Sequence, residues 1–190
     1  MRAKGIIFDC DGTLADTMPA HYGSWLETLK PYGVEFPEAQ FWALGGWSAA
    51  AIAGVLSRQS GVALDPQVVA AEKNRTYLQY LPAVQAIPEV VAVAREHHGK
   101  LPMAVATGSS RWLCEEILRR LEISHLFDAV VAVEDVPNHK PAPDSFLEAA
   151  RRIGISPPDC LVYEDTDAGI EAARRAGMEF VDVRLLRSRP

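Results

Sequence analysis

The chain has 190 residues, 48% hydrophobic and 23% charged, a balance that builds a core without disulfide staples and excludes disordered or collagen-like chains. Nineteen Lys and Arg against 25 Asp and Glu give a net charge of -6. That charge opposes nucleic acid and anionic membranes, so a phosphate-bearing partner must be gripped locally. Three scattered cysteines, Cys10, Cys114 and Cys160, show no C-x-x-C spacing and point to a reducing cytoplasm.

In chain order, Gly5-Ile6-Ile7-Phe8 is too short for a signal-peptide core and stops at Asp9, so no export is expected. It reads as a buried parallel strand opening into the loop Asp9-Cys10-Asp11-Gly12. Next comes a long stretch with helical patterns: Tyr22, Trp25, Leu26 and Leu29 at i, i+3, i+4 and i+7, then Glu38 to Leu44, Ser48 to Arg58 and Pro66 to Leu81. The uncharged run Ala39 to Ser57 reaches membrane-spanning length, but it is interrupted at Gly45-Gly46 and reads as two Ala-rich helices of a protein that enters no membrane.

Further apolar runs follow at Leu101 to Ala106, Ala129 to Val133, Cys160 to Tyr163 and Glu179 to Val183. Helical patterns at Ser110 to Leu121, Asp144 to Ile153 and Ala168 to Ala176 separate them, the last two followed by Gly154 and Gly177. This alternation predicts an α/β fold, a Rossmann-like parallel sheet covered on both faces. The first crossover is far longer than a parallel connection needs. It predicts a four-helix insertion over residues 16–83 in a discontinuous core of residues 1–15 and 84–190, re-entered through the proline joints Leu81-Pro82 and Ile87-Pro88.

In open parallel sheets, ligands bind beyond the carboxyl ends of the strands. Those ends deliver Asp9 and Asp11, then Thr107, then Lys140 in the following loop, then Glu164 and Asp165. Such clustered carboxylates require a cation, and oxygen-only ligation suits Mg²⁺. With Asp11 protonated, three carboxylates, Lys140 and a divalent ion make a site near neutrality. A phosphate dianion could enter it, with Asp9 attacking phosphorus in line and Asp11 giving a proton to the leaving oxygen. Taken alone, each of these residues is an ordinary turn, cap or loop residue; their arrival at one sheet edge is what singles them out. EF-hand calcium loops begun at Asp9 or Asp165 fail at the required Gly and Glu positions. Cys114 and Arg120 match a Cys-x5-Arg phosphatase spacing, but the segment between them is acidic and lacks glycine.

Phe8-Asp9-Cys10-Asp11-Gly12-Thr13-Leu14, Thr107-Gly108-Ser109, Lys140-Pro141-Ala142-Pro143-Asp144 and Glu164-Asp165-Thr166-Asp167-Ala168-Gly169-Ile170 together resemble the four signatures of haloacid-dehalogenase-superfamily phosphatases. Within that family the chain looks most like the beta-phosphoglucomutase branch, on the side of its fructose-1-phosphate or 6-phosphogluconate type phosphatases. The resemblance implies a nucleophile at Asp9, a general acid and base at Asp11 and phosphoryl contacts at Thr107 and Lys140. It implies Mg²⁺ on Asp9, Asp165 and the Asp11 backbone carbonyl, with Glu164 supporting. It also makes the insertion a small helical cap. The mutases carry a cap arginine for a second phosphate, where this chain has Ala49, which favours hydrolysis over phosphate transfer. Cys10 departs from a larger apolar residue without evident consequence.

The substrate-binding candidates are Thr107, Gly108 and Ser109 in the core and His21, Trp47, Lys73 and Asn74 in the insertion. The ordinary readings of the latter group are strong: Trp47 as a core side chain and Lys73 as a solvated helix lysine. His97-His98 lies at a helix end and receives no ligand role. The expected function is thus a Mg²⁺-dependent phosphomonoesterase acting on a small phosphorylated metabolite, as a monomer or weak dimer. A sugar phosphomutase, a carbon-halogen hydrolase and a phospho-acceptor signalling domain are the rivals.

Overall fold

The computed structural model describes residues 3–186; Met1 and Arg2, which precede the short N-terminal run, lie outside it. Five parallel strands, β1 (Gly5–Phe8), β2 (Met103–Ala106), β3 (Ala129–Val131), β4 (Cys160–Glu164) and β5 (Glu179–Asp182), form one sheet in the order β3-β2-β1-β4-β5. β1 is central, with Ile6 opposite both Met103 and Leu161. It is buried throughout because both faces are covered. Ile6 and Phe8 join one cluster with Met103 and Val105, while Ile7 joins the other with Ala104 and Ala106.

Helices α5 (Pro88–His97) and α6 (Arg111–Arg120) cover the first face through Val90, Val91, Ala94, Leu113, Ile117 and Leu118. Helices α7 (Asp144–Ile153) and α8 (Asp167–Arg175) cover the second through Phe146, Ala149, Ala150, Ala172 and Ala173. Gly154 closes α7 in the left-handed conformation, at φ 70, as its place behind the apolar periodicity predicts.

Between β1 and β2 come α1 (Met18–Leu29), α2 (Glu38–Ala43), α3 (Ala49–Ser60) and α4 (Pro66–Tyr77). They share a separate core built on Trp25, Leu29, Phe36, Phe41, Leu56 and Val69. The chain leaves the sheet and returns to it side by side: Ile87 N–H donates to Leu14 O at 2.9 Å and Asp16 N–H to Gln85 O at 2.8 Å. No helix among the described residues is long and apolar enough to cross a membrane; the Ala39 to Ser57 run is split between α2 and α3.

Element ends move where backbone groups find other partners. β2 begins at Met103 because Pro102 has no N–H to give a ladder. β3 stops at Val131 because the Ala132 N–H donates to the Asp135 side chain at 2.7 Å, not to a strand. Leu26, placed on an apolar helix face by its spacing, is exposed, and Trp25 beside it takes the buried position. α5 is a helix that the sequence patterns did not single out, although Val90, Val91 and Ala94 follow a proline at the right intervals.

Candidate active site

β1 ends at Phe8, and its two acids separate at once. Asp9 is buried and turns toward Lys140, whose ammonium spends its three protons on Asp9 Oδ1 at 2.6 Å, Glu164 Oε2 at 2.7 Å and Ala106 O at 3.2 Å. All of these groups sit at the carboxyl ends of β1, β2 and β4 or in the loop before α7. Burial lowers an ammonium's pKa, but Asp9 and Glu164 outweigh it and hold Lys140 above its ordinary value.

Asp9, Glu164 and Asp165 each offer a carboxylate oxygen, and these oxygens lie within 4.8 Å of one another. Burial first and Glu164 second raise Asp9 well above the ordinary carboxyl range, and the same two causes push Asp165 up to about 8. Lys140 is the one cation of this cluster, so three close carboxylates keep two uncompensated charges until protons or a metal ion join them. An all-oxygen set without His or Cys fits a hard divalent cation.

The flanking glycines are there for space. Gly12 has φ +88, and a Cβ on it would stand 2.2 Å from Asp165 Oδ2; one on Gly169 would stand 2.0 Å from the Glu164 carboxyl carbon. Glu164 is further fixed by the N–H groups of Asp165 and Thr166 and by the Thr166 hydroxyl, at 3.1, 2.9 and 2.8 Å. The Thr13 hydroxyl donates to Asp165 at 3.1 Å.

Asp11 faces the opposite way. Its Oδ1 accepts from Thr17 at 2.9 Å and meets His21 Nε2 at 2.8 Å, while Oδ2 accepts from Ser109 at 2.7 Å and Thr107 at 3.3 Å. Burial alone would raise its pKa. The field of His21 when it is charged and the hydrogen bonds from His21, Ser109 and Thr17 outweigh burial and leave Asp11 below the ordinary range; burial and the Lys73 ammonium hold His21 itself below its ordinary value, so the hydrogen bonds are the lasting contribution. The expectation of a protonated Asp11 in the resting site is therefore corrected: four donors aim at this carboxylate, and they favour its ionised form. Its side chain is not part of the metal cluster, which leaves only its backbone carbonyl for the ligand role that the resemblance implies.

A cleft of about 440 Å³ opens between the strand ends and the inserted helices. Asp9, Asp11, Thr107, Gly108 and Ser109 line one side, and His21, Trp47, Lys73 and Asn74 line the other. Two ordinary readings fail here. Lys73 is 3% exposed and contacts His21 Nδ1, and burial lowers it to about 7 against the pull of Asp11. Trp47 is 36% exposed at the cleft, not in the core. Lys140, Glu164 and Asp165 lie behind Asp9 and do not line the cleft. The sequence reading missed Thr13, Thr17 and Thr166 as partners of the three acids, and Glu134 and His139 at the cleft wall; the threonines immediately following Asp-Gly and Glu-Asp were the available signal.

A family model for haloacid dehalogenase-like hydrolases matches residues 3–177. The chain is 45% identical over 186 residues to the fructose-1-phosphate phosphatase YqaB of Escherichia coli, covering 97% of this chain and 98% of that one. It is 30% identical to the beta-phosphoglucomutase of Bacillus subtilis, over 95% and 83% of the two chains. The crystal structure of beta-phosphoglucomutase from Clostridium difficile superposes with a TM-score of 0.87 over 95% of this chain and 84% of that one; at 24% identity this likeness concerns the fold. With the signature acids, Thr107 and Lys140 gathered at one sheet edge, the chain belongs to the haloacid dehalogenase-like hydrolase family.

Proposed function

We propose that the chain is a Mg²⁺-dependent phosphatase that hydrolyses a small sugar phosphate, of the fructose-1-phosphate or 6-phosphogluconate type, through an aspartyl phosphate at Asp9. The observation that carries this reading is the placement of Asp9 at the floor of the cleft, pinned through one oxygen by Lys140 and backed by Glu164 and Asp165. The near full-length similarity to a fructose-1-phosphate phosphatase supports the substrate class. In this reading residues 1–15 and 84–190 are the catalytic core, residues 16–83 are a cap over the cleft, and the enzyme works in the cytoplasm as a monomer or weak dimer.

Mg²⁺ on Asp9, Asp165 and the Asp11 carbonyl, with Glu164 behind them, would neutralise the carboxylates and draw charge from the phosphoryl oxygens. The second oxygen of Asp9 attacks phosphorus while the bond to the sugar oxygen breaks. Thr107 and the backbone N–H groups of its loop hold the phosphoryl oxygens, and Lys140 joins them by giving up one of its protein partners. Asp11, protonated once substrate fills the cleft, gives its proton to the departing sugar oxygen. It then takes a proton from the water that attacks the phosphoaspartate, which releases phosphate and restores Asp9.

Ala49 lines the cleft, and its methyl group cannot fork onto a second phosphate, so hydrolysis is favoured over mutase chemistry. The test is phosphate release from a panel of sugar phosphates with Mg²⁺. Wild type turns over many times, and Asp9→Asn, folded by circular dichroism, loses at least about a thousandfold in kcat. Equal activity of the two proteins would overturn the assignment. One phosphorylation per molecule without turnover would favour the signalling reading.

A further inference from the structure

One helical turn after Lys73, α4 carries a side chain whose hydroxyl is wasted and whose ring is not. Tyr77 is 0% exposed, and its hydroxyl has no hydrogen-bond partner among the described residues, an arrangement that phenylalanine would avoid at no loss of packing. The ring serves two neighbours. The His21 imidazole stacks on it with centroids 4.4 Å apart and planes 19° apart, and the Lys73 ammonium lies 4.9 Å from its centroid.

His21 is gripped at both ends, by Asp11 Oδ1 at Nε2 and by Lys73 at Nδ1. Those two contacts oppose rotation of the imidazole about its Cβ–Cγ bond. A parallel aromatic face opposes the same rotation, because turning the imidazole would drive it into the Tyr77 ring or strip it of contact. His21, Lys73 and Tyr77 are all buried, so misorientation of the imidazole is not repaired by water, and a displacement of about 1 Å at such a site costs on the order of a hundredfold in rate.

We propose that the Tyr77 ring is a positioning residue, which holds the His21 imidazole in the plane that keeps the Asp11 carboxyl aimed at the leaving oxygen. The proposal rests on the reading of Asp11 as proton donor given above. The ring acts and the hydroxyl does not, so the role belongs to any flat aromatic side chain at this position.

Leaving-group dependence separates positioning from mere structure. A sugar alkoxide needs a proton to depart, whereas p-nitrophenolate does not, so only the first ester reports on Asp11 as acid. Values of kcat/KM, which extend only through the first phosphoryl transfer, are compared with Mg²⁺ present. Tyr77→Leu is expected to lower kcat/KM for fructose 1-phosphate by about ten- to a hundredfold and for p-nitrophenyl phosphate by less than about threefold. Tyr77→Phe should stay within about threefold of wild type on both. If Tyr77→Leu does not fold, Tyr77→Met fills the space with a flexible apolar chain and gives the same comparison. Equal losses on the two esters, or a Phe variant as impaired as the Leu variant, would overturn the positioning role. Failure of the wild type to hydrolyse either ester would instead overturn the function that the role presupposes.

Discussion

Asp9 and Asp11 stand two residues apart on one strand end, yet their surroundings press them in opposite directions. Asp9 is raised by burial and by Glu164; Asp11, although desolvation opposes it, is lowered because His21, Ser109 and Thr17 all favour its anion. Asp165 shares the fate of Asp9 and has the clearer consequence for stability. Its folded value of about 8 stands above an ordinary 3.8, so between those values the folded chain binds a proton that the unfolded chain has released. Stability from this group is complete below the unfolded value and is lost as pH rises through about 8. A divalent cation replaces the proton and reverses the trend. Thermal melts of the EDTA-treated protein should therefore fall by several degrees from pH 5.5 to pH 8, and Mg²⁺ should raise the melting temperature more at pH 8 than at pH 5.5. A Mg²⁺ effect that is equal or larger at pH 5.5 would show that these carboxylates do not receive the metal.

At the level of elements, the α2–α3 connection is the piece that brings the inserted helices onto the core. Gly46 has φ +80, and a Cβ there would stand 2.6 Å from the Thr166 hydroxyl, the group that also donates to Glu164. A Cβ on Gly108, in the Thr107 loop, would stand 3.1 Å from Gly46 O. The connection thus rests directly on two loops of the site, and only glycine allows that approach. Gly46→Ala is expected to raise KM and lower kcat for the sugar phosphate, together at least about tenfold in kcat/KM, with the melting temperature shifted by only a few degrees. Unimpaired kinetics in this variant would show that close seating of the connection is not needed for turnover. The strands and most helices were legible because a strand buried on both faces is apolar throughout and because Gly154 and Gly177 follow helical runs. The spacing misplaces Leu26 because periodicity shows which face is apolar, not which of two adjacent apolar residues reaches the core. α5 is masked in the sequence because it begins at Pro88, within the proline joint that marks the return of the chain.

On the scale of the whole molecule, the sheet order β3-β2-β1-β4-β5 puts the ends of β1, β2 and β4 side by side, which is how Asp9, Thr107 and Glu164 meet across more than 150 residues of chain. Spacing along the sequence was enough to see that convergence, since one helix and one strand return the chain to the same edge. It was not enough to see the second layer. Thr13, Thr17, Thr166 and Tyr77 act through directions of side chains, and the charge of Asp11 depends on four donors from two separate segments. The spacing within α4 leaves Lys73 undecided between solvent and site because the polar groups around it, His21 and Asp11, come from α1 and the end of β1. The central claim is that Asp9 takes the phosphoryl group, and the most direct measurement is an acid quench of the enzyme during turnover of a ³²P-labelled sugar phosphate with Mg²⁺, followed by peptide mapping. The label should appear on the peptide that contains Asp9, disappear on a chase with unlabelled substrate, and be absent from Asp9→Asn. Label on any other peptide, or steady phosphate release by folded Asp9→Asn, would contradict it.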